Sequence, residues 1–129
     1  MKVVADASVI IAVAMNEPER SWVIEATRSV EAVAPQSLPF EIANALTRLV
    51  KQGLLSAEHA QAAWEATAAI PVSLCAIDIA GALRLSCAQD IYAYDGFMLQ
   101  CALETSASLL TLDRTLKRTA RDLGIELVE

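Results

Sequence analysis

Short apolar runs alternate with longer amphipathic stretches along these 129 residues. Lys2-Val3-Val4-Ala5 is apolar on both alternating faces, the pattern of a strand covered by helices on both sides. It stops abruptly at Asp6, and Val9 to Met15 continues as an apolar helical stretch. Asn16-Glu17-Pro18-Glu19 marks a turn, and Pro18 with Glu19 suits a helix start. A helix from about Glu19 to Val30 follows, with Trp22, Val23, Ala26 and Val30 on one face. Ala32-Val33-Ala34 reads as a very short strand. Ser37 to Gln52 is the next helix, stopped by Gly53 just past its end. Ser56 can cap another helix reaching Ala69, and Pro71 ends it. Val72 to Cys75 is a third strand. Helices are expected over Asp78–Gln89 and Ile91–Thr105, and a fourth strand over Ser108–Leu112, ending at Asp113. Leu116 to Leu123 is the last helix, closed by Gly124, and Ile125 to Val128 a final short strand.

This alternation predicts an α/β fold: a short, mainly parallel central sheet with helices on both faces. No repeat, low-complexity tract or linker interrupts it, so residues 1–129 are expected to form one domain. Hydrophobic residues make up 55% of the chain and aromatics only 5%. The core is therefore built from Ala, Val, Leu and Ile, and a disordered chain is excluded. Cys75, Cys87 and Cys101 are odd in number and lack a C-x-x-C spacing, which indicates neither a disulfide framework nor a zinc site. They read as small buried side chains in a reducing compartment. Lys2 and the apolar run to Ala14, with Ala12-Val13-Ala14, have the outline of an export signal. Asp6 breaks that run, however, and a strand followed by a helix fits better. No apolar run is long enough to span a membrane, so the expectation is a soluble cytoplasmic protein.

Four carboxylates stand out against this framework. Asp6 and Asp113 each close an apolar strand. Glu41 lies near the start of the helix after the second strand, and Asp95 sits in the otherwise apolar stretch Ile91 to Leu99. Strand C-termini and helix N-termini share one edge of a parallel α/β layer, where open sheets place their ligands. Each acid alone has a plainer reading, as an N-cap or a first-turn acid favoured by the helix dipole. Together, four acids from distant parts of the chain converge on one edge. Clustered carboxylates repel and raise one another's pKa, and a divalent cation relieves that repulsion. All-oxygen ligands select the hard ions Mg²⁺ or Mn²⁺, which suits phosphoryl chemistry. His59 stands alone on an exposed helix and is not expected to be a ligand. No Walker A loop and no G-x-G-x-x-G occur, which argues against a resident nucleotide.

The residues also resemble a known family. Val4-Ala5-Asp6-Ala7-Ser8, Pro39-Phe40-Glu41-Ile42-Ala43-Asn44-Ala45-Leu46, Tyr94-Asp95-Gly96-Phe97-Met98-Leu99 and Leu110-Thr111-Leu112-Asp113-Arg114-Thr115-Leu116 together resemble a PIN domain. The closest resemblance is to the VapC-like toxins of toxin–antitoxin pairs. The resemblance implies a three-layer PIN-like fold and a Mg²⁺- or Mn²⁺-dependent endoribonuclease acting on single-stranded RNA. It implies Asp6, Glu41, Asp95 and Asp113 as catalytic, metal-binding acids, with Ser8, Asn44 and Thr111 as polar partners orienting carboxylates or water. It further implies a homodimer silenced by a cognate antitoxin. The chain departs from the family at Gly96, where Ala is usual, which would loosen the helix start at Asp95 by ~1 kcal/mol. It also lacks a fifth acid after Asp113, with Thr115 and Lys117 there instead.

A net charge of −6 argues against gripping nucleic acid by bulk electrostatics. Local charge runs the other way. Arg114, Lys117, Arg118 and Arg121 recur at i, i+3, i+4 and i+7, one face of the last helix. The expectation is that this stripe meets substrate phosphates or acids of an antitoxin. Arg48 shares a helix face with Glu41 and Asn44 and is a second candidate phosphate contact. Trp22 and Trp64 read as core or dimer interface. The Ala-rich helices between Glu19 and Ala69 offer more apolar surface than so small a sheet needs, which predicts an intersubunit face. Two other readings compete. One is a catalytically weak RNA- or protein-binding scaffold of the same fold. The other, a receiver-like phosphoacceptor, would need a strand-end Lys, and no strand ends in one.

Overall fold

A computed structural model describes residues 1–129. Strand β1 (Lys2–Ala5) leads into helix α1 (Ala7–Ala14), then α2 (Arg20–Ala26), β2 (Glu31–Pro35), α3 (Leu38–Lys51) and α4 (Ala57–Thr67). Strand β3 (Ser73–Cys75), α5 (Ile79–Gln89), α6 (Ala93–Thr105), β4 (Ser108–Leu110) and α7 (Arg114–Asp122) complete the chain. The sheet order is β3-β2-β1-β4, and all three pairings are parallel.

β1 is central, and Val3, Val4 and Ala5 are buried regardless of the face they point to. That is why its sequence does not alternate. From β1 the chain steps outward to β2 and β3, then crosses back to place β4 on the other side of β1. The strand order therefore reverses between β1 and β4, and such a switch point opens a crevice beyond the strand C-termini. Right-handed crossovers put α1 to α4 over one face and the β3-to-β4 connection over the other. Accordingly α6 packs on β1, β2 and β4, and α5 packs on α6, whereas α1 packs with α2, α3 and α4. The core is aliphatic and contains no aromatic ring.

Local chemistry sets the helix boundaries. Asp6, Ser56, Asp78 and Asp113 are N-caps whose side chains accept backbone N–H bonds of the first turn. Pro39 lies in the first turn of α3, where a missing N–H costs nothing.

Several expectations change in detail. α2 ends at Ala26 rather than Val30, because the chain must turn before β2. The Thr27 hydroxyl donates back to the carbonyls of Val23 and Ile24 there. α6 begins at Ala93 rather than Ile91, after Asp90 adopts a left-handed conformation. The final strand shrinks to a single bridge from Leu127 to Leu109, since only the Glu126 carbonyl and Val128 amide reach the outer edge of β4. Only Cys101 of the three cysteines is buried; Cys75 is intermediate and Cys87 exposed. Trp22 and Trp64 lie outside the core.

Gly96 has a role that helix propensity did not reveal. A Cβ placed there would overlap the Ser86 hydroxyl and lie 3.1 Å from the Ala82 carbonyl oxygen of α5. Ser86 is itself buried, its hydroxyl donating to that same carbonyl at 2.7 Å. The missing side chain thus lets α5 and α6 approach closely, next to Asp95. Gly96→Ala gains helix propensity but forces the two helices apart, an overpacking cost of ~1–3 kcal/mol. We expect a lower melting temperature for Gly96→Ala, partly recovered by adding Ser86→Ala; an unchanged or raised value in the single variant would show that the interface yields freely.

Candidate metal and nuclease site

The β1–β4 register pairs Ala5 with Leu110, so the residues that follow, Asp6 and Thr111, emerge side by side at the switch point. Asp6 is buried, 6% exposed. Its Oδ1 accepts the Ser8 hydroxyl at 2.6 Å and the Val9 amide at 3.2 Å, and its Oδ2 accepts the Thr111 hydroxyl at 2.5 Å. Both hydroxyls are used twice. Ser8 Oγ accepts the Leu112 amide, and Thr111 Oγ1 accepts the Asp113 amide. A carboxylate offers about four acceptor positions, so these three bonds leave one on Oδ2.

The other three acids come from separate elements. Asp113 caps α7, its Oδ1 accepting the amides of Thr115 and Leu116 at 2.8 and 3.1 Å. Glu41 sits in the first turn of α3, its Oε2 accepting the Ser37 hydroxyl at 2.7 Å. Asp95 lies in the first turn of α6 and is not the cap, which is Tyr92.

The four are electrostatically coupled. Burial raises the Asp6 pKa above the usual carboxylate range; its hydrogen bonds to Ser8, Thr111 and the Val9 amide offset part of this, and the Asp113 charge adds to it. Burial likewise pushes Glu41 up to about 7, opposed by Ser37 and reinforced by the charges of Asp6 and Asp95. Asp95 is raised by burial, then by Asp113 and Asp6. Glu41 and Asp95 thus each feel two of the other acids, and Asp6 feels Asp113. No lysine or arginine relieves them, since the protein's salt bridges are Arg28–Glu25, Arg84–Asp78 and Arg121–Glu129.

The donor set is all oxygen and its negative charge lacks a protein counter-ion, which fits a hard divalent cation. As the side chains stand, however, no three Cys, His, Asp or Glu groups form a ready-made set of metal ligands. Asp6 is clamped by its three bonds and Asp113 by its cap. Asp95 has no comparable tether, and Glu41 has one bond to a serine, so these are the side chains free to close on an ion.

Of the other residues singled out from the sequence, Ser8 and Thr111 bear directly on Asp6. Asn44 is exposed on α3 and makes no hydrogen bond to the four acids. Arg48, Arg114 and Arg118 are exposed and Lys117 is half-buried. Arg121 leaves the expected stripe, because its guanidinium pairs with Glu129 at 2.5 Å. Sequence reading missed Ser37, whose i, i+4 spacing to Glu41 was the available signal. Away from the acids, α1, α2 and the end of α4 border an open groove of about 840 Å³, lined by Val9, Val13, Val23, Ile24 and Ile70 among others, with Arg20 and Arg28 also in its lining.

A sequence model of the PIN domain matches residues 3–122, nearly the whole chain. The chain belongs to the PIN-domain family. PIN domains are generally nucleases. Among solved structures, it is similar to PAE2754 from Pyrobaculum aerophilum, with a TM-score of 0.67 and 20% identity over 92% of this chain and 87% of that one. It is also similar to VapBC2 from Rickettsia felis, solved bound to a DNA fragment from the promoter, with a TM-score of 0.65 and 12% identity over 98% and 97%. A third likeness is to a PilT N-terminus domain protein of Sulfolobus solfataricus, with a TM-score of 0.51 and 14% identity over 99% and 86%. At these identities the likeness is one of fold. No curated protein matches the chain in sequence.

The raised pKa of Glu41 fixes the sign of one pH effect. Its folded value of about 7 exceeds the ordinary carboxyl value of 4.5. The folded state therefore binds more protons between those values, and Glu41's contribution to stability falls as pH rises through that window. We expect the metal-free protein to lose ~1–2 kcal/mol from this group between pH 5 and pH 8, after allowing for partial solvent screening. Glu41→Gln should flatten the corresponding slope of melting temperature against pH. An identical slope in wild type and variant would mean that Glu41 is not protonated near neutrality.

Proposed function

We propose that this PIN domain is a metal-dependent endoribonuclease that cleaves single-stranded RNA, and that it is the toxin of a toxin–antitoxin pair. The observation that carries the reading is the set of four acids gathered at the switch point, three of them with carboxyls raised by burial and by neighbouring acids, with no salt bridge to neutralise them. Asp6, Glu41, Asp95 and Asp113 are the residues that would hold Mg²⁺ or Mn²⁺. Such an ion supplies Lewis-acid stabilisation of charge building on a phosphate and makes a nearby water a better nucleophile.

The chain's own residues prepare this chemistry. Ser8 and Thr111 fix the Asp6 carboxylate so that little reorganisation is needed when the ion arrives. Glu41 and Asp95 are the less tethered acids and would complete the ligand set, Glu41 as the deprotonated carboxylate. Metal binding would accordingly strengthen as pH rises through about 7. Arg48, Arg114, Lys117 and Arg118 would contact backbone phosphates on either side of the cut. Arg121, paired with Glu129, is not needed for this.

The likeness to the Rickettsia felis complex supports an antitoxin partner, and the apolar groove between α1, α2 and α4 supports a protein surface covering it. A homodimer and a cytoplasmic location belong to the same reading. No helix is long and apolar enough to cross a membrane. A second reading is a catalytically weak RNA- or protein-binding module, favoured by the lack of a ready three-ligand set.

Titration with Mn²⁺ separates the two. An enzyme should gain several degrees of melting temperature through linkage and cut labelled single-stranded RNA only when the metal is present. Asp95→Asn, which breaks no side-chain hydrogen bond, should lower cleavage by at least ~100-fold while raising the metal-free melting temperature, because it relieves repulsion from Asp113 and Asp6. RNA left intact with Mn²⁺, or a less stable Asp95→Asn protein, would count against the site as described. Arg114→Glu with Arg118→Glu should flatten the salt dependence of RNA binding, and an unchanged slope would remove α7 from the substrate path.

A further inference from the structure

An acidic protein that binds RNA must draw affinity from something other than bulk charge. Counter-ion release by lysines and arginines normally supplies most of the binding free energy, and here the net charge is −6. The aromatic residues are the candidate source. The chain has two Phe, two Tyr and two Trp, and none lies in the core. All four Phe and Tyr fall within three residues of a site acid. Phe40 precedes Glu41, while Tyr92, Tyr94 and Phe97 flank Asp95.

Their exposure makes the arrangement specific. Phe40 is 68% exposed, Tyr92 88% and Tyr94 43%. Phe97 is half-buried and meets Tyr94 edge to face, with ring centroids 6.0 Å apart. Leaving such a ring in water forfeits ~1.5–3 kcal/mol of burial. Phe40 sits in the first turn of α3, and Tyr92 and Tyr94 at the start of α6. Both helix starts face the sheet edge that carries Asp6 and Asp113.

We propose that Phe40, Tyr92 and Tyr94 form a stacking platform for unpaired nucleobases on either side of the phosphodiester held at the acids. The inference rests on the nuclease reading and adds to it how the substrate is chosen. Every base has a π face, so such a platform tolerates sequence, and each stacked base contributes ~1–3 kcal/mol. Duplex bases are already stacked on one another and cannot be presented this way. The platform therefore selects single strands, and it does so without positive charge. Phe97 holds the Tyr94 ring in place and does not itself contact a base.

The test separates binding from cleavage. Fluorescence anisotropy of a short labelled single-stranded RNA is compared with that of an abasic strand of equal length, in Mn²⁺. The platform predicts binding to the abasic strand weaker by at least ~10-fold. Phe40→Ala and Tyr94→Ala should each raise KM for the RNA by ~10-fold with a smaller change in kcat, whereas Phe40→Tyr keeps the ring and stays close to wild type. The Mn²⁺-induced rise in melting temperature, measured in each variant, reports that the acids remain in place. Equal affinity for the two strands would overturn the platform even if RNA is cut. Base-dependent binding without cleavage would leave it standing and remove the nuclease reading instead. If Phe40→Ala or Tyr94→Ala changes the oligomeric state by light scattering, the rings belong to a protein contact and the proposal falls.

Discussion

The Asp6 carboxylate is the constraint around which the rest of the molecule is arranged. A charge at the end of a central strand is expensive to bury unless donors surround it. Ser8, the Val9 amide and Thr111 do so, from both sides of the switch point. Because Ser8 and Thr111 each also accept a backbone amide from the segment after β4, the same few bonds tie the β1–α1 turn to the β4–α7 turn. One side chain therefore caps a helix, joins two strand ends and sets the floor of the site.

Around it the fold accumulates negative charge that it does not neutralise. The three salt bridges lie elsewhere, and burial holds the Asp6, Glu41 and Asp95 carboxyls above their ordinary pKa values. Four helix N-termini soften the repulsion, since each acid sits at a cap or in a first turn, where the helix dipole favours an anion. Capping and site chemistry are therefore one arrangement here. The positive ends that the caps terminate favour the anions clustered there. Stability given up in such a cluster is a common mark of a site kept for function.

Close packing of α5 on α6 completes the picture from the opposite face. Asp95 stands one residue before Gly96, and the absence of a Cβ there admits the Ser86 hydroxyl. The acid's backbone is thus held beside the close approach of Gly96 to Ala82 and Ser86. The aromatic rings follow the opposite logic: they are kept out of the aliphatic core, and the four Phe and Tyr stand within three residues of an acid.

Much of this was legible in the residues. The unalternating Val run predicted a strand buried on both faces, because only a central parallel strand has no solvent face. The acids could be placed because strand ends and helix starts share an edge in any parallel α/β layer, and each was flanked by apolar residues. Ser8 and Thr111 stood in motifs around those ends. What depends on neighbours distant in the chain was not legible. The weak pairing of Leu127, the exposure of Cys87, the capture of Arg121 by Glu129 and the fit of Gly96 against Ser86 are set by which surfaces meet. So is the exposure of Phe40, Tyr92 and Tyr94, since an aromatic ring beside an acid looks the same in sequence whether packed or open. Periodicity and capping are local properties and survive in one dimension, whereas burial and pairing exist only once the sheet has closed.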